Sequence, residues 1–378
     1  MSSSLSIMFI AGDVSGDYHA ASVVKQFISD FPGARIWGVG GPAMKAEGFN
    51  AVIPFEPFNK MGFVEVFRNL NFFLNARNKL RQMMEKQKPD CLVCVDYPGF
   101  NMLLMKDAHK LGIPVIWYIA PMVWAWKQKR AEVLAKYCSH IGCIFPFEVQ
   151  YFSPFTSRVS FVGNPLIEAI RKENYNKAQS SGELHLAIVP GSRWQEVNRT
   201  LFPMVEAFRL LKERFPGIKG SISYCANLPF SFYEDLSRDT GLAIVEEPLR
   251  ALLSRSDFAL VTSGTATLEA ALLGVPQICA YKTSWLNYTI FKNILKTPYI
   301  SLPNIIAGEK IIPECIQDDM NPSRMVDELT AFITQKETAE KMKSKFSELR
   351  GTLGSKKPSL ELTAILKSIL AEGSLVEN

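Results

Sequence analysis

The chain has 378 residues, 47% of them hydrophobic, and 42 Lys and Arg against 37 Asp and Glu, a formal net charge of +5. That length and apolar content support two or three domains with globular cores, and the mild charge excludes the dense basic face of a dedicated nucleic-acid binder. A small positive excess suits anionic phosphates or an anionic membrane surface without choosing between them.

The opening MSSSLSIMFIAG lacks a basic leader region and reads as a first β-strand, Ile7 to Ala11, rather than a signal peptide. The strand ends in AGDVSGD, where Gly12 and Gly16 have the layout of a phosphate-cradling turn. Asp13 and Asp17 in the same turn would repel a phosphate. The helix that follows is predicted to bury Ala20, Val23, Val24, Phe27 and Ile28, a helical period. Further strands are predicted at 35–39, 91–96, 115–119, 140–144 and 160–162. Between them, MGFVEVFRNLNFFLNARNKLRQ (Met61 to Gln82) is helix-prone, with exposed-looking Phe67, Phe72 and Phe73 beside Arg68, Arg77, Lys79 and Arg81. It reads either as an interfacial membrane helix or as a core helix with a solvated edge.

Cys91 and Cys94 form a CxxC inside the apolar run DCLVCVD, and no second pair has ligand spacing. They are expected as buried strand residues. His19, His109, His140 and His185 make no HxH or HExxH pattern, so no metal centre is expected. Seven scattered cysteines read as free thiols of a reducing compartment, and no apolar run approaches the roughly 20 residues of a spanning helix, so the chain is expected in the cytoplasm. Asp96 closes the same strand, where partial desolvation would lift a carboxylate toward the working range of a general base. The plainer alternative is a helix cap or an ion pair. In YIAPMVWAWKQKR, Trp124 and Trp126 alternate with Lys127, Lys129 and Arg130, which suits a sugar phosphate or lipid headgroup, or else a packed loop with a solvated tail.

A polar stretch at 169–183 reads as an interdomain linker, after which the strand–helix alternation restarts. Gly191, Ser192 and Arg193 follow one strand, and Ser263, Gly264 and Thr265 follow another. Turn N–H groups, a helix N-terminus and a guanidinium there are suited to a diphosphate. Glu269 lies one turn into the second helix, where it could accept from ribose hydroxyls or serve only the helix dipole. Asn304, in a predicted loop at 299–314, either holds the chain or bonds a ligand. The expected fold class is α/β with two Rossmann-like domains facing across a cleft, at 1–168 and 183–320. Helices of 321–378 follow, some expected to pack back on the first domain.

Together, AGDVSGD, GVGGPAMKAEGF, MGFVEVF, DYPGFN, IAPMVWAWKQKR, PFE, PGSRWQEV, SGTATLEAALLGVP and YISLPNIIAG, in this order from residue 11 to about 308, resemble the lipid-A-disaccharide synthase family. The resemblance implies the GT-B glycosyltransferase architecture. It also implies transfer of 2,3-diacylglucosamine from UDP-2,3-diacylglucosamine to 2,3-diacylglucosamine 1-phosphate, giving a β-1,6-linked disaccharide 1-phosphate and UDP with inversion. On that basis Asp96 matches the family's base and Arg193 with Ser192 and Ser263–Gly264–Thr265 holds the leaving UDP. Glu269 takes the ribose, and Asn304 matches an active-site position. The opening turn, with Asp13, Ser15, Gly16 and Asp17, becomes the acceptor side, and Asp13 a second candidate for acid–base work. No DxD triplet occurs, so no metal and no cofactor is expected. Acylated substrates imply peripheral contact with the inner membrane through 61–82. No nucleic-acid partner is implied, and the oligomeric state, a homodimer included, stays open. The chain departs from the family at Asp13, where glutamate is usual, shortening the carboxylate's reach by about 1.5 Å. Other readings left open are a different UDP-sugar enzyme of this fold, an N-acetylglucosaminyltransferase or a 2-epimerase, and a non-catalytic UDP-sugar or lipid-phosphate binder.

Overall fold

A computed structural model describes residues 5–59, 70–125, 128–173, 182–226, 228–283 and 297–376. The chain divides into two compact units, Met1–Pro165 with Leu353–Asn378, and Leu166–Thr352.

The first unit is built on a seven-stranded, wholly parallel sheet. Its strands are β1 (Ser6–Ala11), β2 (Arg35–Val39), β3 (Asn50–Ala51), β4 (Cys91–Val95), β5 (Val115–Tyr118), β6 (His140–Cys143) and β7 (Val159–Phe161), in spatial order β3-β2-β1-β4-β5-β6-β7. Both faces are covered, which is why the strands read as continuous apolar runs rather than alternating ones. Met8 and Ile10 point into one core with Trp37, Leu92, Cys94 and Trp117. Ile7, Phe9 and Ala11 point into the other with Val23, Phe27, Cys91 and Leu366. Helix α1 (Val14–Asp30) buries Ala20, Val23, Val24 and Phe27 on that second face. Ile28 is 37% exposed, so the buried stripe is one residue narrower than its periodicity suggests. Cys91 and Cys94 are buried, free and on opposite faces of β4, which prevents them from sharing a ligand.

Short helices α2 (Pro42–Ala46) and α3 (Glu56–Asn59) precede α4 (Leu70–Gln87), and α5 (Pro98–Lys110) follows β4. Residues 60–69, the first half of the segment read as membrane-facing, lie outside the described residues, Phe67 and Arg68 included. The second half packs partly against the core. Phe72 and Phe73 pack edge-on against Phe58 at 5.1 and 5.8 Å, Phe73 also meets Phe100 at 5.7 Å, and Arg77 is bound bidentately to Asp107 at 2.7 and 2.8 Å. Both rings are thus partly buried against the core edge. Helices α6 (Lys129–Tyr137) and α7 (Val149–Phe152) flank β6, and the first unit's strands end at β7.

The second unit opens with α8 (Pro165–Glu173), so the stretch read as linker from 169 is still helical through Glu173. Proline at its start and buried Leu166, Ile167 and Ala169 explain the extension. Residues 174–181 of that linker lie outside the described residues. A six-stranded parallel sheet follows, made of β8 (His185–Val189), β9 (Lys219–Ser223), β10 (Ala243–Val245), β11 (Phe258–Thr262), β12 (Gln277–Tyr281) and β13 (Glu314–Ile316), in the order β10-β9-β8-β11-β12-β13. Its helices are α9 (Trp194–Arg214), α10 (Phe230–Ser237), α11 (Leu249–Ser254), α12 (Thr265–Leu272), α13 (Leu302–Ala307), α14 (Pro322–Thr334) and α15 (Lys336–Leu353). The 299–314 stretch read as a loop thus contains α13, with Pro303 in its first turn and Gly308 in the left-handed conformation ending it. The terminal stretch 321–378 does not act as one body. α14 and α15 stay with the second unit, whereas α16 (Pro358–Val376) belongs to the first and places Leu362 and Leu366 in the core beside α1.

Candidate active site

In each sheet the strand order reverses beside the first strand, between β1 and β4 in one unit and between β8 and β11 in the other. Ligands of open parallel sheets bind at such switch points, beyond the carboxyl ends of the strands. Ala11 pairs with Val95, so the loops carrying Asp13 and Asp96 leave neighbouring strand ends. Val189 pairs with Val261, which sets 191–193 beside 263–265 in the same way.

In the first unit, Asp13 is the N-cap of α1, its Oδ1 accepting from the N–H of Gly16 at 2.6 Å. Gly12 is needed because a Cβ there would lie 2.5 Å from the ring of Tyr97. Asp96 and Tyr97 both sit in the left-handed region, φ +44° and +49°, a conformation that costs of order 1–3 kcal/mol per residue and is held only where the surroundings impose it. The surroundings here are specific. Asp96 N–H donates to Tyr118 O at 2.9 Å, and Asn101 Nδ2 donates to the carbonyls of Asp96 (2.8 Å), Val95 and Ile10 (3.2 Å each). Burial pushes the Asp96 carboxyl up to about 7, with the negative charge of Asp13 raising it further. A carboxyl at that value changes protonation near neutrality, as a general base requires.

Glu148, not singled out as a chemical residue from the sequence, is 1% exposed in the turn after β6. Its Oε2 accepts from the N–H groups of Ile144 and Phe145, both at 3.1 Å, and its Oε1 accepts from Trp124 Nε1 at 3.2 Å. Burial lifts it to about 8, and the charge of Asp96 adds to the rise. Trp124 is 5% exposed and edge-on to Phe147 at 5.4 Å, so its ring has no open face for a sugar; it fastens the 121–125 loop to Glu148. Trp126 and Lys127 lie outside the described residues. Asp17 is corrected as well. It is 3% exposed, with its carboxylate spent on the N–H groups of Gly41 (2.7 Å), Ala43 (2.9 Å) and Met44 (3.1 Å) at the start of α2. It holds the GGPAMKA loop instead of a substrate. Ser15 is exposed at the start of α1 and Gly16 is buried beneath it.

In the second unit, Gly191 turns at φ +108° and Ser192 is exposed. Arg193 is 81% exposed, with Glu196 at 2.9 Å as its ion-pair partner. Gly264 caps α12 at φ +150°, a conformation a side chain would disfavour, and Thr265 is exposed. The hydroxyl of Ser263 donates to Ile300 O at 2.9 Å. These turns leave first-turn N–H groups of two helices beside one guanidinium, a setting for an anion. Glu269 lies on α12 with its side chain 16% exposed. Burial raises its carboxyl, while Arg250, 3.7 Å away, lowers it. Asn304 is fully buried and has all its capacity engaged. Nδ2 donates to Ile312 O (3.0 Å) and Glu314 (2.8 Å), and Oδ1 accepts from Ile311 N and Ile312 N (2.8 and 2.9 Å). Asn304 therefore fastens the start of α13 to the 311–314 segment.

Residues 7–365 match the family model described as lipid-A-disaccharide synthetase. The lipid-A-disaccharide synthase of Geobacter sulfurreducens is 32% identical over 97% of each chain, and that of Nitrosococcus oceani 35% identical over 92% of each. Among solved structures, the S. aureus MnaA–UDP co-structure is similar at a TM-score of 0.67 and 11% identity, over 96% of this chain and 95% of that one. UDP-GlcNAc 2-epimerase of Neisseria meningitidis bound to UDP-GlcNAc gives 0.65 and 13%, over 96% and 100%. The calicheamicin glycosyltransferase CalG4 gives 0.60 and 15%, over 97% and 99%. The structural likenesses show the GT-B fold alone. The family match and the sequence relatives go further, and on them this chain belongs to the lipid-A-disaccharide synthase family of glycosyltransferases.

Proposed function

We propose that this glycosyltransferase transfers 2,3-diacylglucosamine from UDP-2,3-diacylglucosamine to 2,3-diacylglucosamine 1-phosphate. Asp96 takes the proton of the acceptor 6-hydroxyl as that oxygen attacks the anomeric carbon. The bond from that carbon to the diphosphate oxygen breaks in the same displacement, so UDP leaves with its bonding pair and the configuration inverts. Asp13, whose charge keeps Asp96 basic, also stands where it could accept from an acceptor hydroxyl. In the second unit, Arg193 and the N–H groups of 191–193 and 263–265 neutralise the leaving diphosphate, and Glu269 accepts from the ribose. The observation that carries the reading is Asp96, held in a left-handed turn at the end of β4 with its carboxyl lifted to about 7 beside Asp13.

The absence of a DxD triplet and the presence of Arg193 support charge neutralisation by the protein itself, so turnover is expected without added divalent metal. No helix among the described residues is long and apolar enough to cross a membrane. Both proposed substrates carry acyl chains, and we place the enzyme peripherally at the cytoplasmic face of the membrane that holds them. The test is UDP release from the acylated donor and acceptor by the wild-type protein and Asp96→Ala. Loss of about 10²–10⁴ in kcat is expected for the variant, and full activity would remove Asp96 as the base.

A further inference from the structure

Arg250, at the start of α11, was not marked by any sequence motif, yet it stands between two carboxylates of different elements. Its NH2 lies 2.6 Å from Glu173 Oε1 on α8, and its NH1 lies 3.7 Å from Glu269 Oε2 on α12. All three side chains are largely removed from solvent, with 16%, 26% and 16% exposed for Arg250, Glu173 and Glu269. The two distances differ in kind. The first is a charge-assisted hydrogen bond, whereas the second is beyond the ~2.7–3.2 Å of an N–H···O bond. Among the described residues no hydrogen bond ends on the Glu269 carboxylate.

We infer that Arg250 is a positioning residue for nucleotide binding: Glu173 anchors its guanidinium, which faces Glu269 closely enough to favour the ionised carboxylate but not closely enough to occupy its lone pairs. A charged carboxylate with open lone pairs can accept from both hydroxyls of a ribose, and a protonated one loses an acceptor site to its own O–H. Arg250 would thus serve the recognition of a ribonucleoside diphosphate over its deoxy counterpart. This rests on the proposed role of Glu269 toward ribose. Among the described residues, the charged groups that face Glu269 are Arg250, which favours its ionised form, and Glu173, which opposes it together with burial. Without Arg250, both remaining influences raise the carboxyl.

The test is calorimetric binding of UDP and of 2′-deoxy-UDP to the full-length protein between pH 5.5 and 8.5, for wild type, Arg250→Gln, Arg250→Lys and Glu269→Gln. Arg250→Gln should bind UDP more weakly at low pH, by up to about tenfold for each unit below the raised Glu269 value, and over the same low-pH range should lose preference for UDP over its deoxy form. Arg250→Lys, which restores the charge, should recover most of both and serves as the readout if the glutamine variant does not fold. If Arg250→Gln binds with the wild-type pH profile and keeps its preference while Glu269→Gln does not, the inference fails and the ribose role of Glu269 stands. If Glu269→Gln itself binds both nucleotides like wild type, the role of Glu269 fails first, and the inference with it.

Discussion

Asp96→Asn separates stability from chemistry, because the site strains the folded protein in order to hold a base. The folded chain keeps the Asp96 proton up to about pH 7, whereas an unfolded chain releases it near 3.8. Between those values the folded state binds more protons, so wild-type stability falls as pH rises from about 4 to 7 and the loss is complete above 7. At about 1.4 kcal/mol per pH unit, moving the carboxyl from 3.8 to about 7 corresponds to a penalty of about 4 kcal/mol at pH 8. Asparagine keeps the shape of the side chain and never pays the penalty. Calorimetric unfolding of wild type and Asp96→Asn at pH 5 and pH 8 should show the variant more stable at pH 8, with the advantage shrinking toward pH 4. Turnover should fall by about 10²–10⁴ in the same variant. Equal stability differences at the two pH values would refute the idea that Asp96 is held with its proton near neutrality.

Asp13→Asn keeps the α1 cap but removes the like charge beside Asp96, so the acid limb of the kcat/KM profile should move to lower pH; an unmoved limb would mean the two carboxylates do not interact. Asp17→Ala strips the acceptor from three N–H groups of 41–44 and should lower stability by about 2 kcal/mol in urea unfolding, whereas a loss of acceptor binding with unchanged stability would restore it as a ligand group. Asn304→Ala leaves three backbone groups of Ile311 and Ile312 without that partner, removes one donor from Glu314 and should cost about 2–4 kcal/mol. A fully stable Asn304→Ala with no turnover would return it to catalysis. Phe73→Ala empties a half-buried ring site between Phe58 and Phe100 and should cost about 2 kcal/mol, and a stable variant that no longer binds vesicles would revive the membrane role of this ring.

The features legible in the sequence were those written in local pattern. Continuous apolar runs such as Ile7 to Ala11 and Cys91 to Val95 marked strands buried on both faces. Glycine turns after them marked the strand ends where both candidate crevices lie. What stayed hidden was the partner of each polar group, which comes from far along the chain. Asp13 and Asp17 look alike in AGDVSGD, but Asp13 precedes the helix and caps it. Asp17, one turn later, rotates inward to meet N–H groups 24 to 27 residues away. Asn304 and Trp124 are likewise residue types that ligands use, and both make their hydrogen bonds to the protein itself. Arg250 belongs to no local pattern, because its meaning lies in two carboxylates from two other helices.

The most direct measurement of the central claim is the anomeric configuration of the product. Purified protein, UDP-2,3-diacylglucosamine and 2,3-diacylglucosamine 1-phosphate, without added metal, should yield UDP and a β-1,6-linked disaccharide 1-phosphate by NMR, with almost none from Asp96→Asn. An α-linked product, or faster turnover of UDP-N-acetylglucosamine onto an acceptor without acyl chains, would contradict the account.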